Sequence, residues 1–173
     1  AAVDAMRRMF DTVDIDGTVV IGEGEIDEAP MLYIGEKIGT REGEDQVDIA
    51  VDPIDGTNSI ANGTDNSIAV LAVAPKGCLL NAPDIYMDKI ACGPKAKGAI
   101  KLDDSPSENV KRVAKALNKN IEEITVAVLD RPRHEEIIKE IIAVGARVKK
   151  VSDGDIVTAI ETCYEDSGID LVI

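Results

Sequence analysis

The order of elements after residue 123 constrains this chain most. A strand-like run at Ile124–Leu129 is followed by helical spacing over Pro132–Val144 and a strand over Arg147–Val151. A helix over Gly154–Cys163 and a strand at Ile169–Ile173 complete the series. Strand and helix in strict alternation predict a parallel layer, because parallel neighbours need a crossover connection that a helix supplies. The earlier part reads differently. Ala1–Phe10 has helical spacing of Val3, Met6 and Phe10, while Thr18–Ile21, Val47–Val51 and Ser67–Ala74 read as strands. Pro30–Ile38 has helical character, Arg41–Gln46 is a charged loop, and short strand-like segments continue to Leu102 between Gly, Pro and Asn turns. Strands this closely spaced predict antiparallel pairing. Ser105-Pro106-Ser107-Glu108 is a capping box with proline at the first helical position, followed by Val110, Val113, Ala114 and Leu117 at helical spacing. The expected class is therefore α/β. A mixed sheet-and-helix domain spans residues 1–122, and a second, α/β domain begins over 123–173.

A chain of 173 residues that is 45% hydrophobic can bury a core and is not disordered. Aromatics make up 2%, so aliphatic side chains and alanine must fill it. Acidic side chains number 33 against 19 basic, a net charge of −14. Such a surface repels nucleic acid and anionic membrane, and no apolar run approaches the ~20 residues of a membrane span. It can still take a phosphate where divalent cations reverse the local sign. Cys78, Cys92 and Cys163, without any C-x-x-C pair, predict reduced, buried thiols in a cytoplasmic protein. The single His134 excludes a multi-histidine zinc site made by this chain alone. Ala1 opens a helical segment without a capping residue and Ile169–Ile173 stops in mid-strand, so the chain is expected to be a piece of a longer protein.

The strongest local signal is Asp52-Pro53-Ile54-Asp55-Gly56-Thr57. A buried strand delivers Asp52 at its end, Pro53 turns the chain, and a short helix starts near Gly56. Carboxylates spaced like Asp52 and Asp55 can converge on a hard cation, which takes oxygen ligands. Gly56 lets the backbone approach a ligand, the N–H groups of a helix start attract an anion, and Thr57 adds a hydroxyl where a nucleophilic water would sit. The second signal is Ile21-Gly22-Glu23-Gly24-Glu25-Ile26-Asp27-Glu28. On its own it reads as a solvated acidic turn. Packing Glu23 beside Asp52 and Asp55, however, would require cations between them.

Gly22-x-Gly24 is no dinucleotide fingerprint, because Asp27 stands at the third glycine position and acids there repel a pyrophosphate. Asp14-Ile15-Asp16-Gly17-Thr18 is similar to the haloacid-dehalogenase phosphatase string, in which the first Asp becomes phosphorylated. Phe10–Val13 is a poor strand to precede it, so the segment is taken as a turn, with an aspartyl-phosphate phosphatase at Asp14 as the alternative. A calcium loop starting at Asp14 fails, since its sixth position is Val19 rather than glycine.

Basic groups come from Asp130-Arg131-Pro132-Arg133-His134, between a strand and a helix. Such loops bind ligands in α/β sheets, so Arg131 and Arg133 either clamp a second phosphate or pair with Glu135 and Glu136. His134 reads as a capping or packing residue. Ser152-Asp153-Gly154-Asp155 is another strand-to-helix loop, whose acids either accept hydrogen bonds from sugar hydroxyls or cap the helix.

Taken together, residues 21–36, Val51–Thr57, Asn81–Lys89, Asp130–His134 and Ser152–Asp155 closely resemble the class II fructose-1,6-bisphosphatases, within the lithium-sensitive, metal-dependent sugar phosphatases. The Asp52–Thr57 string alone marks only that wider superfamily, which inositol monophosphatases share. The resemblance implies an αβαβα sandwich, incomplete here, and hydrolysis of the 1-phosphate of fructose 1,6-bisphosphate or of a relative such as sedoheptulose 1,7-bisphosphate. It implies Glu23, Asp52 and Asp55 as ligands of Mg²⁺ or Mn²⁺, and Thr57 orienting the attacking water. Asp55, Gly56 and Thr57 would contact the phosphate, while Tyr86, Arg131, Pro132, Arg133, Asp153, Gly154 and Asp155 would hold the rest of the sugar bisphosphate. A homo-oligomer follows from the resemblance only. The family pattern also has an Asp ligand ahead of the segment matching Ala1–Met6 and a Gly-rich half beyond Ile173. A non-catalytic binder of metal or phosphosugar is the further alternative.

Overall fold

The structure, a computed structural model, describes residues 1–23, 31–41, 45–83 and 85–173. Glu25, Asp27 and Glu28 of the acidic segment, Pro30 and positions 42–44 of the charged loop lie outside them. Two compact units emerge, one of residues 1–55 and 68–86, the other of residues 56–67 and 87–173.

The first unit contains α1 (Ala2–Phe10), β1 (Asp16–Ile21), β2 (Lys37–Ile38), β3 (Gln46–Asp55) and β4 (Ile68–Pro75). Its sheet has the order β2-β1-β3-β4, with β1 and β3 parallel and the other neighbours antiparallel. The expected spacing of Val3, Met6 and Phe10 puts one face of α1 on the sheet, where Phe10 is buried with Val19, Leu32, Ile38, Ile49 and Val51. Removing a side chain of that size from water contributes roughly 1.5–3 kcal/mol.

The helix expected over Pro30–Ile38 is absent from its described residues, 31–38. Leu32 has φ 60°, which a right-handed helix cannot contain. It is fully buried, its N–H is taken by the Glu36 carboxylate and its carbonyl by the Glu23 N–H at 2.9 Å. Arg7 in turn donates through Nε to Glu36 at 2.7 Å, so tertiary contacts override the local helical tendency.

The second unit contains α2 (Thr57–Asn62), β5 (Ala91–Cys92), α3 (Pro106–Leu117), β6 (Thr125–Leu129), α4 (Glu135–Val144), β7 (Arg147–Val151), α5 (Asp155–Glu161) and β8 (Leu171–Val172). Its sheet has the order β5-β8-β6-β7, parallel along β8-β6-β7 as the alternation predicts, with β5 antiparallel at the edge. Because β5 pairs with β8, this unit draws in residues well before the expected domain boundary at residue 122. Val126 and Val128 pack on one side against Val110, Val113, Ile138 and Ile141, while Ala127 packs with Val151 and Ile169. An interior parallel strand is covered on both faces, and β6 has the continuous apolar run this requires. The buried Asn109 fixes the entry to α3: its Nδ2 donates to the carbonyls of Lys101, Asp104 and Ser105, and its Oδ1 accepts the Lys101 N–H at 2.8 Å.

Between β4 and α3 the only regular strand among the described residues is Ala91–Cys92, fewer than the sequence led us to expect. The buried Asp48 carboxylate accepts the N–H of Gly77 at 2.7 Å and of Leu79 at 3.3 Å, so these amides are satisfied by a side chain instead of a ladder. Ser105 caps α3 by accepting the Glu108 N–H at 3.3 Å, but the Glu108 carboxylate pairs with Lys111. Cys78 and Cys163 are exposed, against the expectation of buried thiols, and all three cysteines are free. Among the described residues no helix is long and apolar enough to cross a membrane.

Candidate active site

The acidic group belongs to the first unit. β3 does not stop at Asp52, as expected, but runs through Pro53 to Asp55. Its register against β4 shifts between Asp52 and Asp55, a bulge that accommodates a proline without an N–H. Asp52 stabilises this irregular stretch, its Oδ1 accepting the Ile54 N–H at 2.9 Å. Asp55 closes the strand and is 7% exposed, while Asp52 is half-buried. Glu23 is also half-buried and follows β1 in a single bridge to Tyr33. Any side chain at Gly22 would collide with the Leu32 carbonyl, 2.0 Å from the ideal Cβ position, which explains the glycine that precedes Glu23.

In kind, these donors suit a hard divalent cation, since all are carboxylates. Among the described residues no group of three or more His, Cys, Asp or Glu converges on one point.

The second group lies within the second unit. Gly56 is the N-cap of α2 at φ 82°, a left-handed conformation that glycine adopts without strain. Thr57 and Asn58 open the helix, and the Asn58 N–H donates to Asp153 Oδ2 at 2.9 Å. The other oxygen of Asp153 faces Arg131 Nη2 at 3.3 Å, while Arg131 Nη1 donates to the Ser152 carbonyl at 2.6 Å. Asp153 therefore caps α2, a helix remote in sequence, and not the helix that follows it. Gly154 caps α5 at φ 83°, and a Cβ there would lie 2.6 Å from the Asn66 carbonyl. Asp155 begins α5 and pairs with Lys89 at 3.5 Å.

Arg131 thus pairs with Asp153 and not with Glu135 or Glu136; Glu136 pairs with Lys139. Pro132–His134 form a 3-10 turn, and the exposed Arg133 lies within it. His134 Nδ1 lies 2.8 Å from the Leu129 carbonyl, an acceptor that makes this nitrogen the donor and gives the ring a packing role. Tyr86 is exposed.

Asp14 precedes β1 instead of ending a strand, and its Oδ1 accepts the Thr40 hydroxyl at 3.0 Å, so it is a turn residue. Two contributors were missed from the sequence. Asn58 acts through its backbone, which no side-chain motif reveals. Asn66 has φ 73° and presses its carbonyl toward Gly56 and Gly154; an Asn amid turn residues was the available signal.

Comparison with known proteins places these residues in a family. The profile described as "Bacterial fructose-1,6-bisphosphatase, glpX-encoded" matches residues 1–173. The chain is 56% identical over 172 residues to fructose-1,6-bisphosphatase 1 class 2 of Escherichia coli (strain K12), covering 99% of this chain and 51% of that protein. It is 48% identical over 172 residues to fructose-1,6-bisphosphatase class 2 of Haemophilus influenzae, covering 99% and 51%. It is also 48% identical over 179 residues to the Synechocystis protein named D-fructose 1,6-bisphosphatase class 2/sedoheptulose 1,7-bisphosphatase, covering 97% and 52%. The chain spans about half the length of the curated relatives it matches. On a match that runs from its first residue to its last, the chain belongs to the bacterial, glpX-encoded fructose-1,6-bisphosphatase family.

Proposed function

We propose that this chain contributes carboxylates and phosphate-binding groups to a cytoplasmic, metal-dependent phosphatase that releases the 1-phosphate of fructose 1,6-bisphosphate. The supporting observation is the path of β3, which carries Asp52 and the buried Asp55 directly into Gly56 and Thr57. Glu23, Asp52 and Asp55 are the residues to hold Mg²⁺ or Mn²⁺. When bound, such a cation polarises phosphoryl oxygens and lowers the pKa of a bound water.

The chain's own residues supply positioning. Thr57 offers a hydroxyl to align the attacking water, and the left-handed Gly56 leaves the backbone open to a phosphoryl oxygen. Arg133, on an exposed turn, provides a cation for the second phosphate. Arg131 is directed by Asp153 and the Ser152 carbonyl, so its role is to orient the loop that carries Asp153, Gly154 and Asp155. Tyr86 and Asp155 are assigned to the sugar. The 48% identity to a relative named for both bisphosphates favours sedoheptulose 1,7-bisphosphate as a second substrate.

The test measures phosphate release from fructose 1,6-bisphosphate with and without Mn²⁺, alongside Mn²⁺ titration by calorimetry. Asp55→Asn should weaken Mn²⁺ binding at least ~10-fold, and the lost charge stabilisation should reduce release at least ~100-fold. Release that needs no cation, or that survives Asp55→Asn, refutes the reading. Damage by Asp14→Asn instead would move the chemistry to an aspartyl phosphate.

A further inference from the structure

Arg7 stands where an apolar side chain is expected. It lies four residues after Val3 and three before Phe10, on the face of α1 that packs against the first sheet. Its side chain is only 20% exposed. A guanidinium in such a stripe needs a partner, because desolvating a charge is costly unless the charge is paired. Its Nη1 pairs with the exposed Asp11 at the helix end, while the inner partner is Glu36, whose side chain is 11% exposed. Glu36 Oε1 accepts from Arg7 Nε at 2.7 Å, and Oε2 accepts the Leu32 N–H. The main chain of Glu36 is held as well. Its carbonyl accepts the Val19 N–H and its N–H donates to the Tyr33 carbonyl, each at 2.9 Å. A carboxylate fixed in this way is a rigid acceptor for one particular amide.

That amide belongs to the residue on which Glu23 rests. Leu32, fully buried at φ 60°, occupies a conformation that its surroundings must enforce. With its N–H fixed by Glu36, Leu32 presents its carbonyl to the Glu23 N–H at 2.9 Å, and Tyr33 forms the bridge to Glu23. The same carbonyl approaches Gly22 so closely that a Cβ does not fit there. Arg7, Glu36, Leu32 and Glu23 form one chain of contacts within residues 1–55 of the first unit.

We propose that Glu36, anchored by Arg7, is a positioning residue for Glu23 as a ligand of the divalent cation. The inference rests on the reading of Glu23 as such a ligand and deepens it. Through Leu32, Glu36 sets where the chain leaving β1 places the Glu23 main chain, and with it the point from which the carboxylate reaches a cation. Partners that orient a ligand in this way govern metal affinity without touching the metal.

Calorimetric titration of the 173-residue chain with Mn²⁺ alone tests this without turnover. Glu23→Gln and Glu36→Ala should each weaken Mn²⁺ binding at least ~10-fold, the loss typical of a ligand or its supporting partner. In the Glu23→Gln background, Glu36→Ala should change binding less than ~2-fold, because a residue that acts through Glu23 has nothing left to position. General loosening of the fold would weaken binding by the same factor in both backgrounds. Hydrogen exchange without metal reads the contact itself. The Glu23 amide should exchange at least ~10-fold faster in Glu36→Ala, while the amides of β6 keep their rates. Arg7→Met, which keeps the apolar packing of α1, should move both readouts in the same direction by a smaller factor. It decides the matter if circular dichroism shows that Glu36→Ala unfolds. Equal losses in the two backgrounds, or a Glu23 amide that exchanges at the parent rate, would overturn the proposal and leave Glu23 as a ligand standing. No Mn²⁺ binding by the parent chain, or undiminished binding by Glu23→Gln, would refute Glu23 as a ligand and remove the inference with it.

Discussion

Asp153 binds Asn58 through one carboxylate oxygen and Arg131 through the other, at 2.9 Å and 3.3 Å. A carboxylate on the first turn of α2 occupies an amide that a substrate anion would otherwise compete for. Arg131 keeps that carboxylate in place, so the strand-to-helix loop after β7 and the start of α2 form one hydrogen-bonded unit.

Asp153→Ala should therefore remove the cap of α2. Loss of a helix cap costs ~0.5–2 kcal/mol, and a value near ~1 kcal/mol is expected in urea unfolding. The Asn58 amide should exchange faster with solvent while amides of β6, in the buried sheet, keep their protection. Unchanged exchange at Asn58 would show that the Asp153 contact holds nothing.

The sequence discloses the parallel layer of the second unit because hydrophobic period is a strong signal there. β6, α4 and β7 begin and end within a few residues of their expected bounds. The first unit was harder, since its exceptions are fixed by tertiary contact. Leu32 enters the core with φ 60° and cancels a helix that spacing alone would allow. Pro53 reads as a turn, yet the bulge between Asp52 and Asp55 carries the strand past it. Asp52, Asp55 and Thr57 were legible as a string of chemistry-bearing types. The use of Asp153 as a cap on α2 was not, because 95 residues separate the partners and one of them is a backbone N–H.

Asp48 illustrates a buried carboxylate with a structural task. It is 4% exposed on β3, and its Oδ2 receives the amides of Gly77 and Leu79. Asp48→Ala leaves both amides without their acceptor. Hydrogen bonds to a charged group contribute ~1.5–3 kcal/mol, and a destabilisation of that size is expected from the urea midpoint. A change below ~0.5 kcal/mol would mean that water replaces the carboxylate at no cost.

The cysteines should react in a definite order. Burial, and then the nearby Cys163, push the Cys92 thiol above its ordinary pKa, and its Sγ lies 3.4 Å from the Ala96 carbonyl. Cys78 and Cys163 are exposed. Since the thiolate is the nucleophile, iodoacetamide near pH 8 should alkylate Cys78 and Cys163 before Cys92. Peptide mass spectrometry over time reads the order directly, and Cys92 labelled first would contradict the packing of β5.

Glu140 should give the second unit a measurable acid sensitivity. Its Oε1 accepts the Ser107 N–H at 2.9 Å, so a residue of α4 satisfies an open amide at the start of α3. Hydrogen bonding from the Ser107 backbone and then its side chain holds the Glu140 carboxyl below its ordinary pKa. A carboxyl whose pKa is lower in the folded state binds its proton more readily when unfolded. Its stabilising contribution is therefore complete above the unfolded value, about 4.3, and is lost as the pH falls through the lower, folded value. Glu140→Gln keeps an acceptor for Ser107 but removes the charge. Urea midpoints at pH 7 should be lower for the variant than for the parent chain, and the gap should shrink as the pH is taken below ~4. A gap that stays constant from pH 7 to pH 3 would show that the ionised carboxylate contributes nothing to holding α4 against the start of α3.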